Sequence, residues 1–222
     1  VIVERPSPNH DARPPGGAID MLLLHYTGMT SAEAALSQLC ERQAKVSAHY
    51  LIDEDGAVFA LVAEERRAWH AGVARWAGEE DINGCSIGIE LVNPGHEFGY
   101  RAFPQAQMDA LTELCRGILR RHAIPAHRVL GHADVAPARK EDPGELFDWA
   151  ALAAAGVGLW PVKSQSGGGA AAALARFGYD VSGAGLAACA TAFQRHWRPE
   201  KVDAAMDEEC LDLLAGLLDR AT

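Results

Sequence analysis

A predominantly apolar run from Ile19 to Leu24 stands out first, ending in His25-Tyr26-Thr27-Gly28. A short run of this kind predicts a buried strand. Ser31 to Ala44 reads as a helix, with Ser31 as N-cap and Ala34, Ala35, Leu39 and Cys40 as its buried face. Two apolar runs, His49 to Ile52 and Ala57 to Val62, flank Asp53-Glu54-Asp55-Gly56 and predict a hairpin. From Ser86 to Asn93, Ile87, Ile89 and Leu91 alternate with Gly88, Glu90 and Val92, which is strand periodicity. Residues 104–122 carry Met108, Leu111, Leu114, Cys115, Ile118 and Leu119 at helical spacing. Arg116, Arg120 and Arg121 fall on the other side of that helix, as a solvated face, and Ile124-Pro125 ends it. Val129-Leu130-Gly131 is a short strand, Glu145 to Ala155 a further helix, and Gly156 to Pro161 closes a first domain.

Ser164 to Gly169, SQSGGG, has the composition of a linker. Beyond it three helical patterns, Ala170–Phe177, Leu186–His196 and Glu208–Arg220, are separated by Gly178-Tyr179 and Arg198-Pro199. The expected organisation is therefore residues 1–161, a linker at 162–169 and a small three-helix unit at 170–222. The first 17 residues, with Pro6, Pro8, Pro14 and Pro15, read as an extended lead-in in which Asn9-His10-Asp11 forms a turn. Glu64-Glu65-Arg66-Arg67 reads as a solvated turn.

Composition narrows the partners. The chain has 222 residues and a net charge of −10, from 20 Lys plus Arg against 30 Asp plus Glu. Nucleic-acid binding draws on Lys and Arg, so this balance argues against it. No apolar run approaches the ~20 residues of a membrane span. The first residues lack the charged-then-apolar pattern of a secretory signal and also lack a starting methionine. Five cysteines at wide spacing, with no CxxC, suggest free thiols and a reducing compartment. The expectation is cytoplasmic, with a periplasmic or envelope-anchored protein as the alternative.

The densest chemistry lies in GHADVAPARKEDPG, residues 131–144. It offers His132, two carboxylates in Asp134 and Asp142, and Lys140, directly after an apolar strand. Together with His25 at the end of the first strand, His132 and Asp142 make a plausible Zn²⁺ set, since zinc accepts imidazole nitrogen and carboxylate oxygen. Asp134 is the rival third ligand, and local chemistry does not separate the two. His49 competes with His25, although its place at a strand start suits a core histidine. Glu90 is a carboxylate in an otherwise uncharged strand and requires a partner or a task. Trp69-His70-Ala71-Gly72, with Trp76 close by, suits either a groove lining or plain core.

HYTG at 25–28, SAHYLID at 47–53, WHAG at 69–72, SIGIELVNPG at 86–95 and GHADVAPARKEDPG at 131–144 occur in one order. In that order the chain, over roughly residues 1–161, resembles the zinc-dependent N-acetylmuramoyl-L-alanine amidases related to phage lysozyme-type amidases and peptidoglycan recognition proteins. The resemblance implies an α/β fold, with a mixed central sheet flanked by helices and a zinc groove. It places the metal ligands on His25, His132 and Asp142, the catalytic carboxylate on Glu90 and a lysine near the metal on Lys140. The implied reaction is hydrolysis of the amide between N-acetylmuramic acid, in its 1,6-anhydro form, and L-alanine of the stem peptide, in muropeptide recycling. An envelope amidase acting on intact peptidoglycan and a non-catalytic recognition module are the alternatives. LARFGY at 174–179 and AFQR at 192–195 resemble a three-helix peptidoglycan-binding unit.

Overall fold

The computed structural model describes residues 2–165 and 167–221, so Ser166 of the expected linker lies outside them. Strand β1 (Ile2–Glu4) pairs in parallel with a later strand, and β2 (His10–Ala12) also forms within the proline-rich lead-in. The lead-in is thus not merely extended, because Arg5 and Ser7 continue to hydrogen bond to the backbone of Ala60 and Leu61. Strand β3 (Met21–Tyr26) is the predicted buried strand. Helix α1 (Ala32–Cys40) is capped by the Ser31 side chain, which accepts from the Ala34 amide. Its buried face is Ala35, Leu36 and Leu39, whereas Ala34 is exposed, one position round from the predicted stripe. Strands β4 (Tyr50–Ile52) and β5 (Val58–Ala60) make the predicted antiparallel hairpin.

Strand β6 (Arg66–Ala68) pairs with β2 in a separate two-stranded sheet, where a solvated turn was expected. Glu64 just before it is also engaged, accepting from Tyr50 (2.7 Å), Arg121 (2.6 Å) and His122 (2.7 Å). Burial raises its carboxyl, but these bonds outweigh burial and lower it to about 2. Arg121 is therefore not simply solvated, and Arg116 likewise donates to the Ala155 carbonyl.

Helix α2 (Ile82–Cys85) leads into β7 (Ser86–Leu91), and the one-turn α3 (Gly95–Phe98) precedes the long α4 (Gln105–Arg121). Strand β8 (Val129–Gly131) runs directly into α5 (His132–Val135), followed by α6 (Trp149–Ala154). The main sheet has the order β1-β5-β4-β7-β3-β8, parallel except for β4 against β5. Its alternating side chains serve three hydrophobic clusters, one of them formed by Leu51 with Ala35, Leu36 and Leu39 of α1, and the other two flank the sheet's centre. Leu22, Leu24, Ile87, Ile89 and Leu91 pack with Met108, Leu111, Cys115 and Ile118 of α4. Met21 and Leu23 face the opposite way, toward Trp76 and the C-terminal helices.

Those helices are α7 (Ala170–Phe177), α8 (Val181–Ala184), α9 (Leu186–Trp197) and α10 (Glu208–Arg220). The short α8 was not expected from the pattern. Asp180 caps it by accepting from the Gly183 amide, and Gly185 ends it after one turn, so it carries no helical period to read. Trp76 is 1% exposed and packs edge-on against Phe177 and Tyr179, which makes it core between the two parts of the chain. Gly178 permits this approach: a Cβ there would lie 2.4 Å from the Trp76 ring, and its φ of +142° also favours glycine. Trp76→Ala is expected to destabilise the protein by about 3–5 kcal/mol through the cavity left among these rings. A lowered urea midpoint checks it, and an unchanged midpoint would contradict this packing role. Among the described residues no helix is long and apolar enough to cross a membrane.

Candidate metal centre

Three parallel strands deliver the site. The register pairs His25 of β3 with Glu90 of β7, and Leu24 with Gly131 of β8, one residue before His132. The carboxyl ends of adjacent parallel strands are where open α/β sheets place ligands. Paired residues share a face, so His25 and Glu90 project from the same side of the sheet, the side opposite Leu24 and Ile89. Asp142 arrives by loop, and the Ala133 amide donates to its carbonyl at 2.9 Å, tying it to the start of α5.

His25 Nδ1 lies 3.0 Å from His132 Nδ1, and Asp142 Oδ2 lies 3.1 Å from each of them. All three residues are buried. The far nitrogens fix the tautomers. His132 Nε2–H donates to the Ala71 carbonyl at 2.9 Å, so its Nδ1 carries a lone pair. His25 Nε2–H donates to His70 Nδ1 at 3.1 Å, and His70 Nε2–H donates to Ser86 Oγ at 3.3 Å. The Ser86 hydroxyl donates onward to the Ile82 carbonyl. Donor counting therefore leaves three electron-rich atoms converging on one point, an arrangement that suits a cation and is unfavourable without one. A tetrahedral zinc with ligand bonds of ~2.0–2.1 Å sets its donors ~3.3 Å apart, within a few tenths of an ångström of these separations. Two imidazole nitrogens and a carboxylate oxygen thus fit zinc in kind and in spacing.

The electrostatics agree. Burial, and then the neighbouring His132, lower His25 to about 4, so its ring is neutral at pH 7. Burial raises Asp142, but the two rings beside it outweigh burial, because a proton on either Nδ1 would bond to the carboxylate and stabilise its charge, and the carboxyl is held well below the usual range. Neutral imidazole and ionised carboxylate are the forms that bind metal.

Glu90 and Lys140 line the same groove of about 320 Å³, with Trp69, Thr27, Met29 and Val46 on its walls. Burial, and then the charge of Asp142, push the Glu90 carboxyl well above the usual range, while Lys140 pulls it back. Its Oε2 is enclosed and makes no hydrogen bond, which is rare for a buried oxygen and marks an atom placed for a ligand or a proton. Asp134 is not part of the cluster, for it bonds to Gly131, Tyr179 and His196 instead. His49 is also elsewhere, buried and accepting from the Gly88 amide at 2.9 Å.

Sequence reasoning missed His70 as the group that orients His25. It left WHAG and the nearby Trp76 open between groove lining and core; Trp69 and His70 both line the groove, whereas Trp76 is core. A signal was available in Gly88: a Cβ there would lie 2.5 Å from the His70 ring, so the strand needs glycine for the ring to lie across it.

The sequence model of a family described as N-acetylmuramoyl-L-alanine amidase matches residues 15–145. The N-acetylmuramoyl-L-alanine amidase AmiD of Escherichia coli is 35% identical over 91% of this chain and 83% of its own length. The 1,6-anhydro-N-acetylmuramyl-L-alanine amidase AmpD of Escherichia coli is 35% identical over 65% of this chain and 86% of its own. Among solved structures, AmpDh3 of Pseudomonas aeruginosa in complex with anhydromuramic pentapeptide superposes with a TM-score of 0.83, at 33% identity, covering 96% of both chains. E. coli AmiD in complex with the substrate anhydro-N-acetylmuramic acid-L-Ala-D-gamma-Glu-L-Lys superposes with a TM-score of 0.81, at 33% identity, over 93% of this chain and 92% of that one.

Proposed function

The chain belongs to the N-acetylmuramoyl-L-alanine amidase family, and from that premise we propose a zinc-dependent hydrolase acting on soluble muropeptides that carry 1,6-anhydro-N-acetylmuramic acid. The convergence of His25 Nδ1, His132 Nδ1 and Asp142 Oδ2 carries the zinc assignment. The anhydro sugar is supported by the ligands named for AmiD and AmpDh3. Free cysteines, three of them buried, fit a reducing compartment and a cytoplasmic recycling role. We assign catalysis to residues 1–161, a linker to 162–169 and a helical unit to 170–222.

When bound, zinc supplies a Lewis acid that polarises the scissile carbonyl and lowers the pKa of a water to ~7. Glu90 takes the proton of the attacking water as its oxygen bonds to the carbonyl carbon. Glu90 then delivers that proton to the alanine nitrogen as the carbon–nitrogen bond breaks. A raised carboxyl suits both halves of this cycle, because it holds a proton long enough to pass it on. The Lys140 ammonium faces the negative charge that develops on the carbonyl oxygen. Lys140→Met is expected to lower kcat by ~10²-fold, at the lower end of losses seen when one oxyanion donor is removed, with zinc content unchanged. Steady-state kinetics beside metal analysis checks it, and native kcat in the zinc-loaded variant would remove Lys140 from the mechanism.

A second reading, an amidase acting on intact peptidoglycan, is favoured by the C-terminal helices and by the likeness to AmiD over 91% of the chain. Mass spectrometry of products separates the two. Free stem peptide from soluble anhydro-muropeptides alone supports recycling, and release from isolated sacculi as well supports the second reading. Release from neither would overturn both.

A further inference from the structure

The C-terminal helices reach the metal-bearing loop through one buried carboxylate that the chemistry above leaves unused. Asp134 is 1% exposed and follows His132 by two residues. Its Oδ2 accepts from the Gly131 amide at 2.8 Å, the peptide that directs the chain from β8 into His132. The same oxygen accepts from His196 Nδ1 at 2.7 Å, and Oδ1 accepts from the Tyr179 hydroxyl at 2.6 Å. Two of its three donors thus come from the helical unit, which is far in sequence from both ligands on the loop.

The His196 donor is itself fixed. Its ring is stacked between Trp149, with centroids 3.7 Å apart and planes 20° apart, and Trp197, at 3.6 Å and 5°. Tyr179 is 3% exposed and wedged against Trp76. Neither donor can swing away without opening an aromatic core. A carboxylate in such an interior is stable only while its donors remain. Without them it must admit water or turn, and either loosens its hold on Gly131. On the solvent side of the same loop, Arg195 contacts Glu141 and Glu145 at 3.3 and 3.4 Å, though such partly exposed pairs contribute little.

We infer that Tyr179 and His196 are positioning residues for the metal site: through Asp134 they hold the backbone that aims His132. The inference rests on the zinc reading above. It makes the helical unit part of the catalytic scaffold, a role that needs no contact with glycan. Groups that orient a metal ligand are typically worth 10–100-fold in metal affinity or activity, and these act one bond further out, which favours the lower end.

The test uses the full chain and two kinds of substitution. In Tyr179→Phe/His196→Phe both donors are lost while the ring surfaces remain. In His196→Asn a donor is retained close to the Nδ1 position while the stacking is lost. Zinc affinity is measured by competition with a chelator, beside kcat and KM on an anhydro-muropeptide and the thermal midpoint. The double variant is expected to bind zinc roughly tenfold more weakly and to lose kcat by a similar factor, with KM within about twofold of native. Tyr179→Phe alone, the mildest change, is expected to move both in the same direction by about threefold. His196→Asn is expected to melt lower yet keep zinc affinity within about twofold of native. Native zinc affinity and kcat in the double variant, with only the melting temperature reduced, would show a plain docking contact and overturn the inference. A native chain that binds no zinc would overturn the metal reading and this inference with it.

Discussion

Glu90→Gln is expected to leave zinc bound and to lower turnover by roughly 10²–10⁴-fold, the range that a positioned general base and acid contributes. The substitution preserves shape while removing the charge and the capacity to accept a proton. Glu90 sits beside His25 in the sheet register but makes no hydrogen bond to His25, His132 or Asp142, so the three ligands keep their own contacts. Its carboxyl already lies well above the ordinary range, because it is buried and faces the charge of Asp142. Gln is therefore not a harsh change for the local interior, where Oε2 is enclosed without a partner. The loss should fall on kcat, since substrate contacts along the groove are untouched. Metal analysis and steady-state kinetics on the same preparation decide it. Turnover near native in a zinc-loaded Glu90→Gln protein would remove Glu90 from the proton path.

Asp142→Ala should abolish zinc-dependent stabilisation as well as activity. It deletes one of three donors and leaves two imidazole nitrogens 3.0 Å apart with no carboxylate between them and the cation. The loss of affinity should exceed the roughly 10–100-fold typical of groups that merely orient a ligand. Thermal melting reads this without reference to catalysis. A ligand at ~1,000 times its Kd stabilises the folded state by about 4 kcal/mol. For a chain of this size that raises Tm by roughly 10 °C. The native protein, stripped by a chelator, should regain that increment on adding zinc, and Asp142→Ala should not. Asp134→Asn should keep most of the zinc-dependent rise while melting lower, because Asp134 is not itself a ligand and reaches the cluster only through the Gly131 backbone. If instead Asp134→Asn lost the increment and Asp142→Ala retained it, the third ligand would have to be Asp134.

Much of the fold is legible along the chain because its elements carry their own periods. The run into His25, the alternation through Glu90 and the stripe of α4 each encode one face to bury, and each forms within a residue or two of where the pattern ends. The same local signals fail where an element has no period of its own. Strands β1 and β2 exist only because β5 and β6 offer them unpaired backbone, and α8 exists because Asp180 caps a single turn. Trp76 reads as groove or core with equal justice until Gly178 brings the C-terminal aromatics against it.

The sequence by itself determined the chemistry on offer: two histidines, a choice of two aspartates, a carboxylate in an apolar strand and a lysine in a polar loop. Only the tertiary structure decided between the aspartates, sending Asp142 to the histidines and Asp134 to Tyr179 and His196. It alone also set which nitrogen of each histidine faces the cluster, through Ala71 and His70. The reason is range. A residue's type and its neighbours fix what it can donate or accept, but hydrogen bonds and metal bonds act over about 3 Å. What lies at that distance is set by how three strands, a loop and a distant helix pack together.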